Sequence, residues 1–264
     1  DLYSAGKIEH NIGNLYWRRD MYRESRPYLD SAHERFTQID DQRQLAMVEN
    51  CQAFVMTLQN QFRDAERVYR SALLRAKSND LTITEAEIET GLSNLYLFEG
   101  RYDLALNFIE SSRQKYEQLE MRIQSANCEL EIADIYLELN LLPEAASFYE
   151  KAGSRFAELG MQAELARCSL NHARTLIRLG STNAAAIELD RAERFYDNET
   201  NLVAAGSVNL VRSQMLFDSG DLAPAEIQNE KAIAAFEKGE NIRLLLFARW
   251  LRAEIWVKLG LIKN

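Results

Sequence analysis

Small, bulky and turn-forming residues recur along this chain on a forty-residue rhythm that holds from one end to the other. Asp20, Asn60, Gly100, Asn140, Gly180, Gly220 and Gly260 keep one register without a slip. Gly, Asn and Asp are the residue types that tolerate left-handed backbone where a helix stops. Seven positions before each of these landmarks stands a small residue: Gly13, Ala53, Ser93, Ala133, Ala173, Ser213 and Ala253. Small residues return five positions after it (Ser25, Ala65, Ala105, Ala145, Ala185, Ala225) and twelve after it (Ala32, Ala72, Ser112, Ala152, Ala192, Ala232). Bulky residues stand four before it, as Tyr16, Tyr96 and Trp256 do, and sixteen after it, as Phe36, Tyr116 and Phe236 do. Small positions let helix backbones approach, and the large ones between them fill the space so created. The pattern predicts helices near 3–19, 22–38, 42–59 and 62–78 and onward with the period, thirteen in all.

A strict period of this length marks a solenoid, in which each repeat is a supersecondary unit stacked on its neighbours. The repeats run 1–40, 41–80, 81–120, 121–160, 161–200 and 201–240, and a terminal helix follows over 241–260. The unbroken rhythm predicts a single solenoid over 1–264 without a linker. Three prolines and eleven glycines leave long stretches free to be helix. Pro143 and Pro224 fall where second helices begin and a missing N–H costs little. Pro27 falls later, and is expected to bend the second helix of repeat 1 or delay its start.

These columns resemble the tetratricopeptide (TPR) repeat, whose helix–turn–helix unit has a Gly-x-Tyr-x-x-Ala turn. Gly100-Arg101-Tyr102-Asp103-Leu104-Ala105 reproduces that turn, and Asn60-Gln61-Phe62-Arg63-Asp64-Ala65 is a near copy. The resemblance covers essentially the whole chain, with units of forty residues rather than 34 and without the consensus proline. Forty-residue units are similar to those of bacterial TPR–CHAT (caspase-like peptidase) proteins, of kinesin light chain and of Leu-Gly-Asn-repeat adaptors. The resemblance implies an all-α, right-handed superhelical solenoid of antiparallel helix pairs, six full repeats plus one extra helix. It also implies a concave groove lined by the first helix of each repeat.

Residues thirteen, nine, six and two before the landmark share one helical face, since they are spaced by 4, 3 and 4. In repeat 1 this face carries Lys7, Asn11, Asn14 and Arg18, and in repeat 2 the apolar run Met47, Cys51, Phe54 and Leu58. Repeat 3 adds Asn94 and Phe98. Repeat 4 presents the acidic Glu131, Asp134 and Glu138, and repeat 5 presents Arg167, Asn171, Arg174 and Arg178. The acidic and basic stripes are expected to neutralise one another across adjacent repeats. An exposed apolar patch beside side-chain amides suits a partner's backbone and anchor residue. The expected primary site is therefore Phe54 with Met47, Leu58 and Phe98, framed by Asn11, Asn14 and Asn94. The arginine stripe with Asn171 is the secondary candidate. In the long-repeat adaptors that the chain resembles, inner-face asparagines hold the backbone of an extended peptide.

Charge and chemistry narrow the reading. A net charge of −9 argues against nucleic acid as partner, because such binding rests on basic neutralisation of phosphates. The longest apolar run, Leu244–Phe247, is far too short for a membrane span, and no signal peptide is visible. Cys128 and Cys168 share a core column with Ile8, Val48, Ile88, Val208 and Ala248, while Cys51 is expected nearer a surface. Unpaired cysteines point to a reducing compartment, the cytoplasm. No phosphate loop, dinucleotide fingerprint, zinc-protease helix or nucleophile elbow is present, and His10, His33 and His172 lack consistent partners. The chain is thus expected to be no enzyme and to need no cofactor or metal. It reads as a scaffold that holds a protein or peptide partner in its groove. The alternative is a regulatory array joined to a C-terminal effector, such as a CHAT-type peptidase or a DNA-binding domain. Trp250, Trp256, Leu259, Leu261 and Ile262 are more apolar than an end cap should be, so either they all point inward or the chain is a fragment, which fits better.

Overall fold

Helices in this protein end wherever the backbone can turn left-handed, and the forty-residue landmark supplies that turn each time. In the computed structural model, which describes residues 1–196 and 201–261, all seven landmark residues have positive φ, from 59° at Asn140 to 85° at Gly220. The cap at Gly100 shows the hydrogen bonds that follow. Gly100 N–H donates to the Leu97 carbonyl at 3.0 Å, and Arg101 N–H reaches back to Tyr96 at 2.8 Å. This pairing satisfies carbonyls that a bare helix end would leave open. The chain also turns left-handed halfway through the period, at Asp40, Asp80, Glu120, Gly160 and Glu240. Sequence reading did not single out this second column, because glutamate, which is not a type that favours left-handed backbone, interrupts its aspartates and glycine.

Thirteen helices and no strand are present among the described residues. They are α1 (Leu2–Trp17), α2 (Tyr22–Gln38), α3 (Gln42–Leu58), α4 (Phe62–Ser78), α5 (Thr82–Phe98) and α6 (Tyr102–Gln118). Then follow α7 (Arg122–Glu138), α8 (Leu142–Glu158), α9 (Gln162–Arg178), α10 (Thr182–Tyr196), α11 (Leu202–Asp218), α12 (Leu222–Lys238) and α13 (Ile242–Lys258). Most are 17 residues long, so first and second helices of a repeat are equal and the unit reaches forty. Helix α2 starts at Tyr22, at the same offset as its counterparts, so Pro27 does not delay it. Pro27 lies on the exposed side, where the carbonyl it leaves unbonded can face water. Ile262 lies outside the described residues.

The chain divides into two compact units, Asp1–Ile135 and Tyr136–Asn264. In both, the small columns are the helix crossings. Ser25, Ala65, Ala105, Ala145, Ala185 and Ala225 are fully buried, as are Ala32, Ala72, Ser112, Ala152, Ala192 and Ala232. The crossing is close enough for a side-chain hydroxyl on one helix to reach the backbone of the other. Ser25 donates to the Gly13 carbonyl at 2.8 Å, Ser93 to Ala105 at 2.9 Å and Ser213 to Ala225 at 2.7 Å. The bulky column four before the landmark stacks on the second helix of its own repeat. Ring centroids of Tyr16 and Tyr28 are 5.5 Å apart, and those of Tyr96 and Phe108 are 5.6 Å apart. Within the core column, Val48, Ile88, Cys128, Cys168, Val208 and Ala248 are buried, but Ile8 is 59% exposed. Ile8 belongs to the first helix described, whereas each buried member of the column follows the second helix of the preceding repeat.

A second periodic pairing runs through the N-terminal unit and was not anticipated. Glu9, Glu49 and Glu89 face Arg35, Arg75 and Lys115, each pair 26 residues apart, at 2.7, 3.0 and 2.8 Å. Glu49 and Glu89 are buried. Burial alone would raise the Glu49 carboxyl, but hydrogen bonds from His33 and Arg75 outweigh it and hold the group below its ordinary value of 4.5. A carboxylate depressed in the folded state contributes stability that is present above its unfolded value and lost as pH falls through the folded one. Acidification from about pH 4.5 downward should therefore weaken this unit. In Arg75→Met the loss on acidification should be shallower, as read by chemical denaturation across a pH series. Identical pH slopes for the two proteins would remove Glu49 from the account.

Candidate partner-binding groove

The groove face follows from register. Odd-numbered helices present the residues thirteen, nine, six and two before the landmark on one side, and the residues that meet the even-numbered helices on the other. In the N-terminal unit this face belongs chiefly to α1, α3 and α5. Lys7, Asn11, Arg18 and Phe98 are exposed, with Phe98 at 59%, while Asn14, Met47, Phe54, Leu58 and Asn94 are half-buried. The apolar run of α3 is therefore partly taken up inside the unit. Phe54 stands edge-on to Trp17 with centroids 5.0 Å apart, and the Asn14 amide oxygen accepts the Trp17 indole N–H at 3.0 Å.

Beneath that run the buried His10 lies with its Nε2 3.2 Å from the Cys51 sulfur. Burial pushes the Cys51 thiol up to about 12. Burial also lowers His10, with the Lys7 charge adding to it. The pair is thus a neutral contact rather than an activated thiolate, since a nucleophilic cysteine needs its pKa lowered. Cys128 and Cys168 are buried. No group of three or more His, Cys, Asp or Glu among the described residues could hold a metal ion, and no described helix is long and apolar enough to cross a membrane.

In the C-terminal unit the same register opens into a hollow of about 500 Å³. Its floor is apolar, from Leu137, Ile177, Leu210, Val211 and Leu251, and Phe247 and Trp250 form one wall. Polar groups ring it: Glu138 and Asp218 carry negative charge, Arg174 and Arg178 positive, and Gln214 an amide. Arg178 donates to the Asn140 side chain at 2.6 Å, and Arg174 to Asn171 at 3.1 Å. Of the sequence-derived arginine stripe, Arg174 and Arg178 line the hollow, Asn171 supports Arg174, and Arg167 stands exposed one turn away.

Leu137, Ile177, Leu210 and Trp250 were missed because they occupy the columns three and ten before the landmark. Those two columns are seven residues apart and so share a helical side, a signal that a wider stripe would have included. Trp250 is 59% exposed and Leu261 66% exposed, which contradicts the reading in which the apolar residues of the last helix all point inward. Ala253, the small residue that elsewhere meets a second helix, is likewise exposed.

Known proteins place this architecture. No curated protein matches the chain in sequence. Among solved structures, the apo form of the quorum sensor NprR from B. thuringiensis is 16% identical, with a TM-score of 0.75 over 96% of this chain and 71% of that one. A Rap protein complexed with Competence and Sporulation Factor is 15% identical, with a TM-score of 0.71 over 97% of this chain and 76% of that one. A signal transduction ATPase with a tetratricopeptide repeat sensor from Pyrococcus horikoshii is 16% identical, with a TM-score of 0.72 over 97% of this chain and 39% of that one. These likenesses establish the fold, an array of tetratricopeptide-like helix pairs. Residues 13–172, well over half of the chain, match the family described as soluble NSF attachment protein, SNAP, whose members are such arrays, and the chain belongs to that family.

Proposed function

We propose that this chain is a non-catalytic protein-interaction scaffold that holds an extended segment of a protein or peptide partner in its groove. The observation that carries this reading is the hollow of the C-terminal unit. There an apolar floor in a hollow of about 500 Å³ lies between opposed charges and an amide. Affinity in such sites comes from a few buried anchors, and the polar rim sets orientation. Mixed charge around an apolar floor suits a peptide carrying one bulky apolar residue beside charged ones. The name of the family itself designates attachment to another protein, and the Rap structure holds a bound factor.

The stripe of Phe54, Met47, Leu58 and Phe98 with Asn11, Asn14 and Asn94 remains the second stretch of groove proposed for the same role. It ranks below the hollow because Phe54 and Asn14 already spend contacts on Trp17. The alternative, a regulatory array within a larger protein, draws support from the sensor role named for the ATPase. A full-length reading frame decides between the two.

The test uses peptides selected on this chain from a random-sequence display library. Trp250→Ala and Arg178→Ala should each weaken a selected peptide at least tenfold, as truncating a hot-spot residue costs about 2 kcal/mol. Loss of binding by Phe54→Ala alone would move the site to the N-terminal unit. Peptides indifferent to all three variants would overturn the groove reading.

A further inference from the structure

A second cavity, of about 320 Å³, lies between α8 and α10 with α9 as its floor. It opens on the side of α9 away from the groove, since Ser169 is about 200° around the helix from both Arg167 and Asn171. The repeat explains why it exists. The column thirteen after the landmark faces the column eleven before the next one, as His33 and Glu49 do at 3.4 Å. In that column pair the N-terminal unit places His33 with Glu49 and Leu73 with Glu89, both far larger pairs. Between α8 and α9 the same two positions are Gly153 and Ser169, the smallest combination in the chain. A Cβ at Gly153 would meet only ordinary contacts, 3.6 Å from the Cys168 sulfur. The cation that pairs with the buried glutamate in earlier repeats is missing as well, because Phe195 stands in its column.

What the missing pair leaves behind is polar and uneven in charge. Ser169 is 2% exposed, and its hydroxyl has no hydrogen-bond partner among the described residues. His172 is half-buried with its ring stacked on Tyr149, and its Nδ1 is 3.9 Å from the Glu188 carboxylate. Arg191 donates to both oxygens of Glu188, at 3.0 and 2.9 Å, so its charge is already committed. Glu150 completes the lining as a second, exposed carboxylate. Burial lowers His172, against the opposing pull of Glu188 and Glu150, and the ring stays neutral near pH 7. Two carboxylates and one guanidinium leave the cavity with one net negative charge. It also offers a neutral imidazole and an unused buried hydroxyl.

We propose that this cavity is a binding site for a primary alkylammonium group, supplied by a free aliphatic amine or by a lysine side chain of a partner. The ammonium donates to the Glu150 and Glu188 carboxylates and to the Ser169 hydroxyl, and its stem leads out of the cavity. An anion is disfavoured, because the guanidinium that would receive it is held by Glu188. This site is independent of the groove, so either can fail without the other.

The two sources are separated by two probes, 1,4-diaminobutane and Nα-acetyl-lysine amide, with butyrate as the anionic control. Binding to the intact chain is followed by calorimetry and by the ring resonance of His172. At least one amine should bind saturably and shift that resonance, whereas butyrate should not. Gly153→Leu, which places in the cavity the residue that Leu73 supplies in repeat 2, should abolish binding. Glu150→Gln, on the surface, should weaken it about tenfold, the scale of one charge-assisted hydrogen bond. Saturation by the acetyl-lysine amide but not by the diamine identifies a partner's lysine, and the reverse identifies a free amine. The proposal is overturned if neither amine saturates, if butyrate binds as well, or if Gly153→Leu binds like the parent.

Discussion

Lys115→Met is expected to destabilise the N-terminal unit by about 3 kcal/mol, the lower end of the cost of stranding one partner of a buried ion pair. Glu89 is buried at 3% exposure, and both of its carboxylate oxygens accept from the Lys115 ammonium, at 2.9 and 2.8 Å. Lys115 also lies 3.1 Å from Glu85. Removing the ammonium leaves a desolvated carboxylate that has lost the donor neutralising it, and the protein must either protonate it or open to water. Chemical denaturation reads the loss directly. The double variant Glu89→Leu, Lys115→Met should recover most of it, because two apolar groups carry no desolvation penalty. If the single and double variants are equally unstable, the deficit comes from lost packing of the lysine stem and the buried pair is not its cause.

Ala185→Leu is expected to lower stability by roughly 1–3 kcal/mol, the range for overpacking a close helix crossing. Ala185 is fully buried and lies in the column that meets the small residue of the first helix, here Ala173. The equivalent crossings bring a serine hydroxyl within 2.7 to 2.9 Å of the opposite backbone carbonyl, which leaves no room for a branched side chain. Ala185→Ser is the matched control. Ser25 occupies the same column and donates across the crossing, so a serine should find the Ala173 carbonyl and melt close to the parent. Matching melts for the leucine and serine variants would show that the crossing has slack that these distances deny.

Most of the fold was legible in the sequence, and the reason is local. Left-handed caps, small crossing residues and knobs each depend on a residue's own type and on its neighbours one helix away, which a period exposes. The helix boundaries at 22–38 and 62–78 came out as expected. The half-period caps did not, since Glu120 and Glu240 adopt positive φ without belonging to a type that favours it. The charge ladder was present in the sequence as two forty-residue columns, but its meaning needed the distance across the helix pair. The candidate site was legible only in part. Register singled out Arg174 and Arg178, which line the hollow. It could not rank the groove-facing residues, because Phe54 and Phe98 have the same pattern yet one is half-buried against Trp17 and the other is 59% exposed.

The sequence by itself determined the period, the caps at the forty-residue landmark, the crossings and the absence of recognisable catalytic motifs, since each is a property of residue type in register. Tertiary structure alone decided which members of a column are covered. Ile8 is exposed where Val48 and Ile88 are buried, because burial is conferred by the neighbouring repeat and not by the residue. For the same reason only packing could turn Gly153 and Ser169, two unremarkable small residues, into the walls of a cavity. Empty volume is the difference between what two facing columns could hold and what they do hold, and no single column of the repeat records it.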